Sequence, residues 1–115
     1  MEVGPLRVEV IPFALSFREP YVTATGTLVR RQSVLLRLRE VIRPGETTAA
    51  IDAYAESLIR RNKAEPSFLG YQGYPKSICA SLDDEVVHGI PSDNVVLREG
   101  SILSVDCGLI LDGWQ

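Results

Sequence analysis

The stretch TTAAIDAYAESLIRRN at residues 47–62 decides the fold of this chain. Its apolar side chains recur at positions i, i+3, i+4, i+7 and i+8, a spacing that places them on one face of an α-helix. Thr47 or Thr48 suits the cap of the first turn, because a threonine hydroxyl accepts a hydrogen bond from a free backbone amide. Asn62 suits the end, where a left-handed residue closes a helix. The pattern predicts a helix over residues 48–62 whose apolar face is formed by Ile51, Tyr54, Ala55, Leu58 and Ile59.

Two strand patterns precede this helix. Residues 6–10 alternate apolar and charged side chains, and within residues 27–39 Val34, Leu36 and Leu38 fall on one face. Alternation with period two is typical of a half-buried strand. The stretch 18–26 between them contains Pro20 and Gly26, which favour a loop. We therefore predict two strands that share one apolar face, with the helix as its cover.

Three further strands are predicted after the helix. Residues 77–82 form the first and residues 85–88 a short return strand. Residues 102–110 are almost continuously apolar, which indicates a central strand covered on both faces. Asp112-Gly113 is a hairpin signal. The expected fold class is α+β: an antiparallel or mixed sheet with one main amphipathic helix, about residues 48–62, packed on it in a single domain over residues 1–115.

Composition favours an ordinary globular protein in the cytoplasm. The chain of 115 residues is 45% hydrophobic and 23% charged, with a net charge of −3. No apolar run approaches the roughly 20 residues of a membrane helix, and the negative balance argues against nucleic acid as a partner. The two cysteines, Cys79 and Cys107, are too few for a disulfide scaffold. A buried core position, a disulfide between them and a metal role all stay open.

Four motifs follow one another in the second part of the chain: RPGETT at residues 43–48, GYQGYPKSIC at 70–79, DEVVHGIP at 84–91 and SVDCGLILDGWQ at 104–115. In this order they resemble the N-terminal half of a methionine aminopeptidase. The resemblance implies a hydrolase with two metal ions held by two Asp, one His and two Glu. It assigns the first metal-binding Asp to Asp106 and puts the second at position 117, beyond Gln115.

The same resemblance implies roles for four more residues. His88 matches a histidine that contacts the substrate near the scissile bond without binding metal. Tyr71, Tyr74 and Cys79 match the pocket for the methionine side chain. With one of five ligands present, we expect no intact metal site, no bound cofactor and no enzymatic activity, so that His88 and Asp106 are remnants.

Residues 1–40 resemble a different family. The stretches VEVIPFALSFREP at 8–20, TGT at 25–27 and VLLRLR at 34–39 are similar to the start of the capping domain in the muconate-lactonizing and dipeptide-epimerase branch of the enolase superfamily. The two resemblances meet near Glu40-Val41. They suggest an artificial or recombined chimera; the alternative is a natural domain whose first strands resemble the enolase group by chance.

The expected function follows from this pairing. We predict a folded recombined domain without a working catalytic site, and as an alternative a residual binding of metal or peptide of the methionine-aminopeptidase kind. Apolar surface and an open strand edge predict a homodimer or tetramer, in which strands can be exchanged between copies.

Overall fold

The computed structural model describes residues 15–23, 26–31 and 38–115 of the chain. The predicted strand at residues 6–10 lies outside them. A first antiparallel pair is formed by β1 (Leu15–Thr23) and β2 (Gly26–Arg31). The loop predicted at residues 18–26 is therefore wrong for most of its length. The register shifts between Ser16 and Tyr21, and this irregularity accommodates Pro20, which cannot donate a ladder hydrogen bond.

The strand predicted for residues 27–39 is too long. β2 ends at Arg31, and Leu38 is helical and buried. Leu38 belongs to the hydrophobic core with Ile51 and Leu97, so its contacts, and not the local alternation, determine its conformation.

The helix α1 (Thr48–Arg61) confirms the prediction from apolar spacing. Thr47 is its N-cap: its side-chain oxygen accepts a hydrogen bond from the Ala50 amide at 3.1 Å. At the other end the Asn62 amide group donates to the Leu58 carbonyl at 2.7 Å. Asn62 itself has φ −89°, and the left-handed residue is Lys63 with φ 59°, one position later than expected.

The helix packs against the antiparallel pair β4 (Ile78–Leu82) and β5 (Leu103–Cys107). β4 is the buried strand. Along β5, half-buried and exposed residues alternate, so the prediction of a strand covered on both faces is wrong for the described residues. The apolar run also breaks at Gly108, after which β6 (Leu109–Ile110) pairs with β3 (Glu65–Pro66).

The segment after β5 ends in the tight hairpin that its sequence predicts. Asp112 and Gly113 have φ 51° and 80°, and backbone hydrogen bonds of 2.8 and 2.9 Å join Leu111 to Trp114 in both directions. Positive φ at both central residues matches the two-residue turn that joins twisted strands.

The return strand predicted at residues 85–88 does not form. Residues 85–88 are an irregular loop, with Val86 88% exposed and Val87 also exposed. Taken together, the described residues have the predicted α+β class, with one long helix and antiparallel strand pairs. Their helices include none with the length and apolar character needed to cross a membrane. That residues 1–115 form one domain stays a prediction.

Candidate functional site

The strand pair β4–β5 has two faces, and only one of them packs against the core. Directly opposed residues in an antiparallel pair point to the same face, and neighbours along a strand point to opposite faces. Ile78 lies opposite Cys107, and this face packs into the core with α1. Cys79 lies opposite Asp106, so these two side chains share the other face. The fold of these strands thus brings together two of the residues predicted for the site.

The geometry of the strand pair β4–β5 decides whether Cys79 and Cys107 form a disulfide. Cys79 and Cys107 project to opposite faces of the same two strands, and both are free thiols. A disulfide between them does not form. Burial, with a smaller contribution from the Asp106 carboxylate, raises the pKa of the Cys107 thiol to about 11.

Tyr74 lies near the pair of Cys79 and Asp106. Its phenol donates a hydrogen bond to the carbonyl oxygen of Ile78 at 2.8 Å, which folds the segment before β4 back onto the strand. Burial raises the pKa of the Tyr74 phenol above its usual range; Cys79 adds to the effect, followed by the Asp52 and Asp106 carboxylates. Cys79 and Asp106 are therefore close enough to Tyr74 to contribute to the raised pKa of its phenol.

Two other predicted residues lie on exposed loops. Tyr71 begins a short 3-10 turn (Tyr71–Gly73) and is 68% exposed. His88 is exposed and has φ 58°, a left-handed conformation that few side chains adopt. The loop of His88 is held along the edge of β4 that faces away from β5: Ala80 donates to the Gly89 carbonyl at 2.8 Å, and the Gly89 amide donates to the Ser81 hydroxyl at 3.0 Å.

Sequence reasoning missed Asp52. This carboxylate lies on the buried face of α1, and its Oδ1 accepts hydrogen bonds from the Ser77 amide at 2.8 Å and the Ile78 amide at 3.0 Å. A signal was available, since Asp52 is placed at helical spacing between Thr48 and Ala55, both of which are buried. An acidic residue on an apolar helix face calls for a specific partner.

The donors present do not fit a dinuclear metal centre. Within the described ranges, no three His, Cys, Asp or Glu side chains lie close enough to hold a metal ion. Asp106 is exposed on β5, and its cross-strand neighbour is the buried thiol of Cys79. Divalent ions that drive hydrolysis need four to six ligands, so one carboxylate supplies too few.

Comparison with known proteins extends this picture. The model of metallopeptidase family M24 matches residues 30–115. Methionine aminopeptidase 1 from Mycobacterium tuberculosis is 50% identical over 94 residues, which cover 82% of this chain and 35% of that protein. A methionine aminopeptidase from Clostridium acetobutylicum is 50% identical over 95 residues, covering 83% of this chain and 37% of the relative.

Solved structures agree in fold. The crystal structure of methionine aminopeptidase from Rickettsia prowazekii matches with a TM-score of 0.67 at 39% identity, covering 70% of this chain and 32% of that chain. The Thermotoga maritima enzyme matches with a TM-score of 0.67 at 38% identity, over 69% of this chain and 32% of that one. This chain therefore spans about a third of the length of these relatives.

These findings correct the interpretation as an artificial chimera. An alignment that covers 94 of 115 residues has to begin at or before residue 22, and the family model begins at residue 30. Both run across the supposed junction at Glu40-Val41 without a break in family. The enolase-like resemblance of residues 1–40 finds no support in these comparisons, because much of that stretch aligns with methionine aminopeptidases. The prediction of an artificial, recombined domain is wrong.

Proposed function

The chain belongs to metallopeptidase family M24, and from that membership we propose that it supplies the substrate-recognition part of an enzyme that removes N-terminal methionine from polypeptides. The observation that carries the proposal is the cross-strand pair of Cys79 and Asp106 on β4 and β5, with the Tyr74 phenol beside it. An aromatic ring and a thiol offer the soft, polarizable surface that suits a thioether side chain. The Asp106 carboxylate provides a negative charge that can pair with the amino group of the substrate's N-terminal methionine.

His88 lies on the loop that is hydrogen-bonded to the edge of β4. Its imidazole is exposed, so an incoming peptide can reach it, and the two hydrogen bonds of Gly89 fix the backbone beside it. In the proposal His88 contacts the peptide group that follows the methionine. Because a neutral imidazole both donates and accepts hydrogen bonds, it can pair with either side of that group.

A polypeptide of these 115 residues alone is expected to bind such a ligand without cleaving it. The reason is the donor set: a single mapped carboxylate leaves a bound ion short of ligands. Binding of the methionine side chain does not depend on those ligands, since the pocket residues lie on β4 and on the segment before it.

Calorimetric titration of the purified 115-residue polypeptide with a methionyl tripeptide tests the proposal. We expect saturable binding that weakens in Tyr74→Phe, which loses the hydrogen bond to Ile78. Tyr54→Phe is the matched control, because it loses a comparable phenol bond, to Glu40 at 2.9 Å, away from the pocket residues. Equal binding of the corresponding glycyl tripeptide, or no saturable binding, would contradict the proposal.

Catalytic activity is measured in parallel. The same polypeptide is incubated with the methionyl tripeptide and Co²⁺ or Mn²⁺, and free methionine is quantified. We expect none above the metal-only background. Metal-dependent release that disappears in Asp106→Ala would show that these residues suffice for hydrolysis and would refute the inactive state.

A further inference from the structure

The Asp52 carboxylate is bound in an unusual way for a helix side chain. It is only 5% exposed, and a single oxygen, Oδ1, accepts from two successive backbone amides, those of Ser77 and Ile78. Burying a carboxylate is unfavourable unless hydrogen bonds compensate for the lost hydration, and bonds to a charged acceptor are stronger than neutral ones. An apolar residue would fill this position on the helix at lower cost but would leave the two amides without this acceptor.

The two amides belong to the residues that lead into β4, next to the pocket. Ile78 is held on both sides: its amide donates to Asp52, and its carbonyl accepts from the Tyr74 phenol. Cys79 follows directly. The helix therefore fixes, through one carboxylate, the stretch from Tyr74 to Cys79 on which the pocket residues lie.

We propose that Asp52 is a positioning residue for the methionine pocket, acting through the Ser77 and Ile78 amides on the placement of Tyr74 and Cys79. This inference rests on the proposed function for the identity of the ligand. The effect of Asp52 on the placement of Tyr74 and Cys79 does not depend on that function. This placement and the binding of the ligand can be measured separately.

The experiment uses the accessibility of the two free thiols in the 115-residue polypeptide. Cys79 lies next to the amides that Asp52 holds, whereas Cys107 projects to the core face of the same strand pair. Labelling with iodoacetamide, followed by mass spectrometry, gives a separate rate for each thiol. Three variants are compared with the wild type: Asp52→Ala, Asp52→Asn and the control Glu56→Ala, which removes a partly exposed carboxylate one turn further along α1, paired there with Arg60.

We expect Asp52→Ala to raise the labelling rate of Cys79 at least tenfold and to change that of Cys107 less than twofold. Asp52→Asn keeps a neutral acceptor at Oδ1 and should raise the rate of Cys79 about two- to fivefold. Glu56→Ala should leave both rates unchanged. If Asp52→Ala does not fold, the selective effect of Asp52→Asn decides. Equal increases at both thiols, or no increase at Cys79, would overturn the inference and leave Asp52 a purely structural group.

Titration of the same variants with the methionyl tripeptide adds the functional readout. Asp52→Ala should weaken binding at least tenfold and Glu56→Ala less than twofold. If the wild type shows no binding, the proposed function fails, but the labelling rates still decide whether Asp52 positions Tyr74 and Cys79.

Discussion

Replacing Gly89 by alanine tests whether the loop that carries His88 is held by close backbone contact with β4. A Cβ at this position would overlap the carbonyl oxygen of Ala80 and the Glu85 carboxylate, and would lie 2.8 Å from the Ala80 carbonyl carbon. The Glu85 side chain can rotate away. The Ala80 carbonyl belongs to a buried strand and cannot, so the loop has to move instead.

The loss of folding stability in Gly89→Ala follows from the contacts that this movement of the loop disrupts. Overpacking of this kind costs about 1–3 kcal/mol. Displacing Gly89 also weakens the bonds from Ala80 to its carbonyl at 2.8 Å and from its amide to Ser81 at 3.0 Å, each worth about 1 kcal/mol. A loss of about 3 kcal/mol is therefore expected. For a chain of 115 residues it corresponds to a fall in Tm of roughly 12 °C, from an unfolding entropy of about 2.1 cal/mol/K per residue.

Urea unfolding followed by circular dichroism of the helix measures this loss, and Gly45→Ala is the control. Gly45 has φ +91° and open space around it, so alanine there meets only backbone strain of about 1–2 kcal/mol. Gly89 has no such positive φ and suffers only the steric overlap. A Gly89→Ala variant that is no less stable than Gly45→Ala would refute the argument that the loop is fixed by contact with Ala80.

Three further outcomes are expected. Thr47→Ala should cost about 1 kcal/mol through loss of the helix cap, and Thr47→Ser should restore most of it in urea unfolding; a neutral Thr47→Ala would contradict the cap. The buried Cys107 has its pKa raised from 9.0 to about 11, so the folded state holds this proton more tightly than the unfolded state; its contribution to stability is complete below about pH 9 and is lost as the pH rises toward 11. Cys107→Ala should remove that part of the alkaline decline, and an unchanged profile would show that another group causes it. Val86 is 88% exposed, and its neighbour Val87 is also exposed. If the predicted homo-oligomer forms through this loop, Val86→Glu should lower the molecular mass measured by light scattering. A monomeric wild type at micromolar concentrations would contradict self-association.

The parts of the fold that sequence predicted are those whose signals are local. The apolar spacing of residues 47–62 predicts the helix to within one residue of its observed end, because its apolar residues fall on one face. Asp112-Gly113 likewise specifies its turn through the φ values of two adjacent residues. Neither prediction needs knowledge of distant parts of the chain.

The failures have long-range causes. Val86 and Val87 have high strand propensity, but Gly89 pairs with β4 in their place, and both valines remain exposed. The partners of Asp52 could not be predicted for the same reason, since the amides it binds lie 25 and 26 residues further along the chain. Two of the predicted site residues, Cys79 and Asp106, are neighbours only because their strands pair. Their separation in the sequence does not show this.

The error about a chimera has a physical origin too. Alternation of apolar and polar residues specifies only that a segment has one face toward a core, a condition that unrelated strands satisfy equally. The motifs at residues 43–48, 70–79, 84–91 and 104–115 are more specific, because they fix residue types and not only an alternation of apolar and polar positions. Cys79 and Asp106 lie on the face of β4–β5 that α1 does not cover, while Ile78 and Cys107 face the core. Asp106 is exposed, so core packing does not require a carboxylate there, and a carboxylate at that place in the motif indicates a family better than a core residue does.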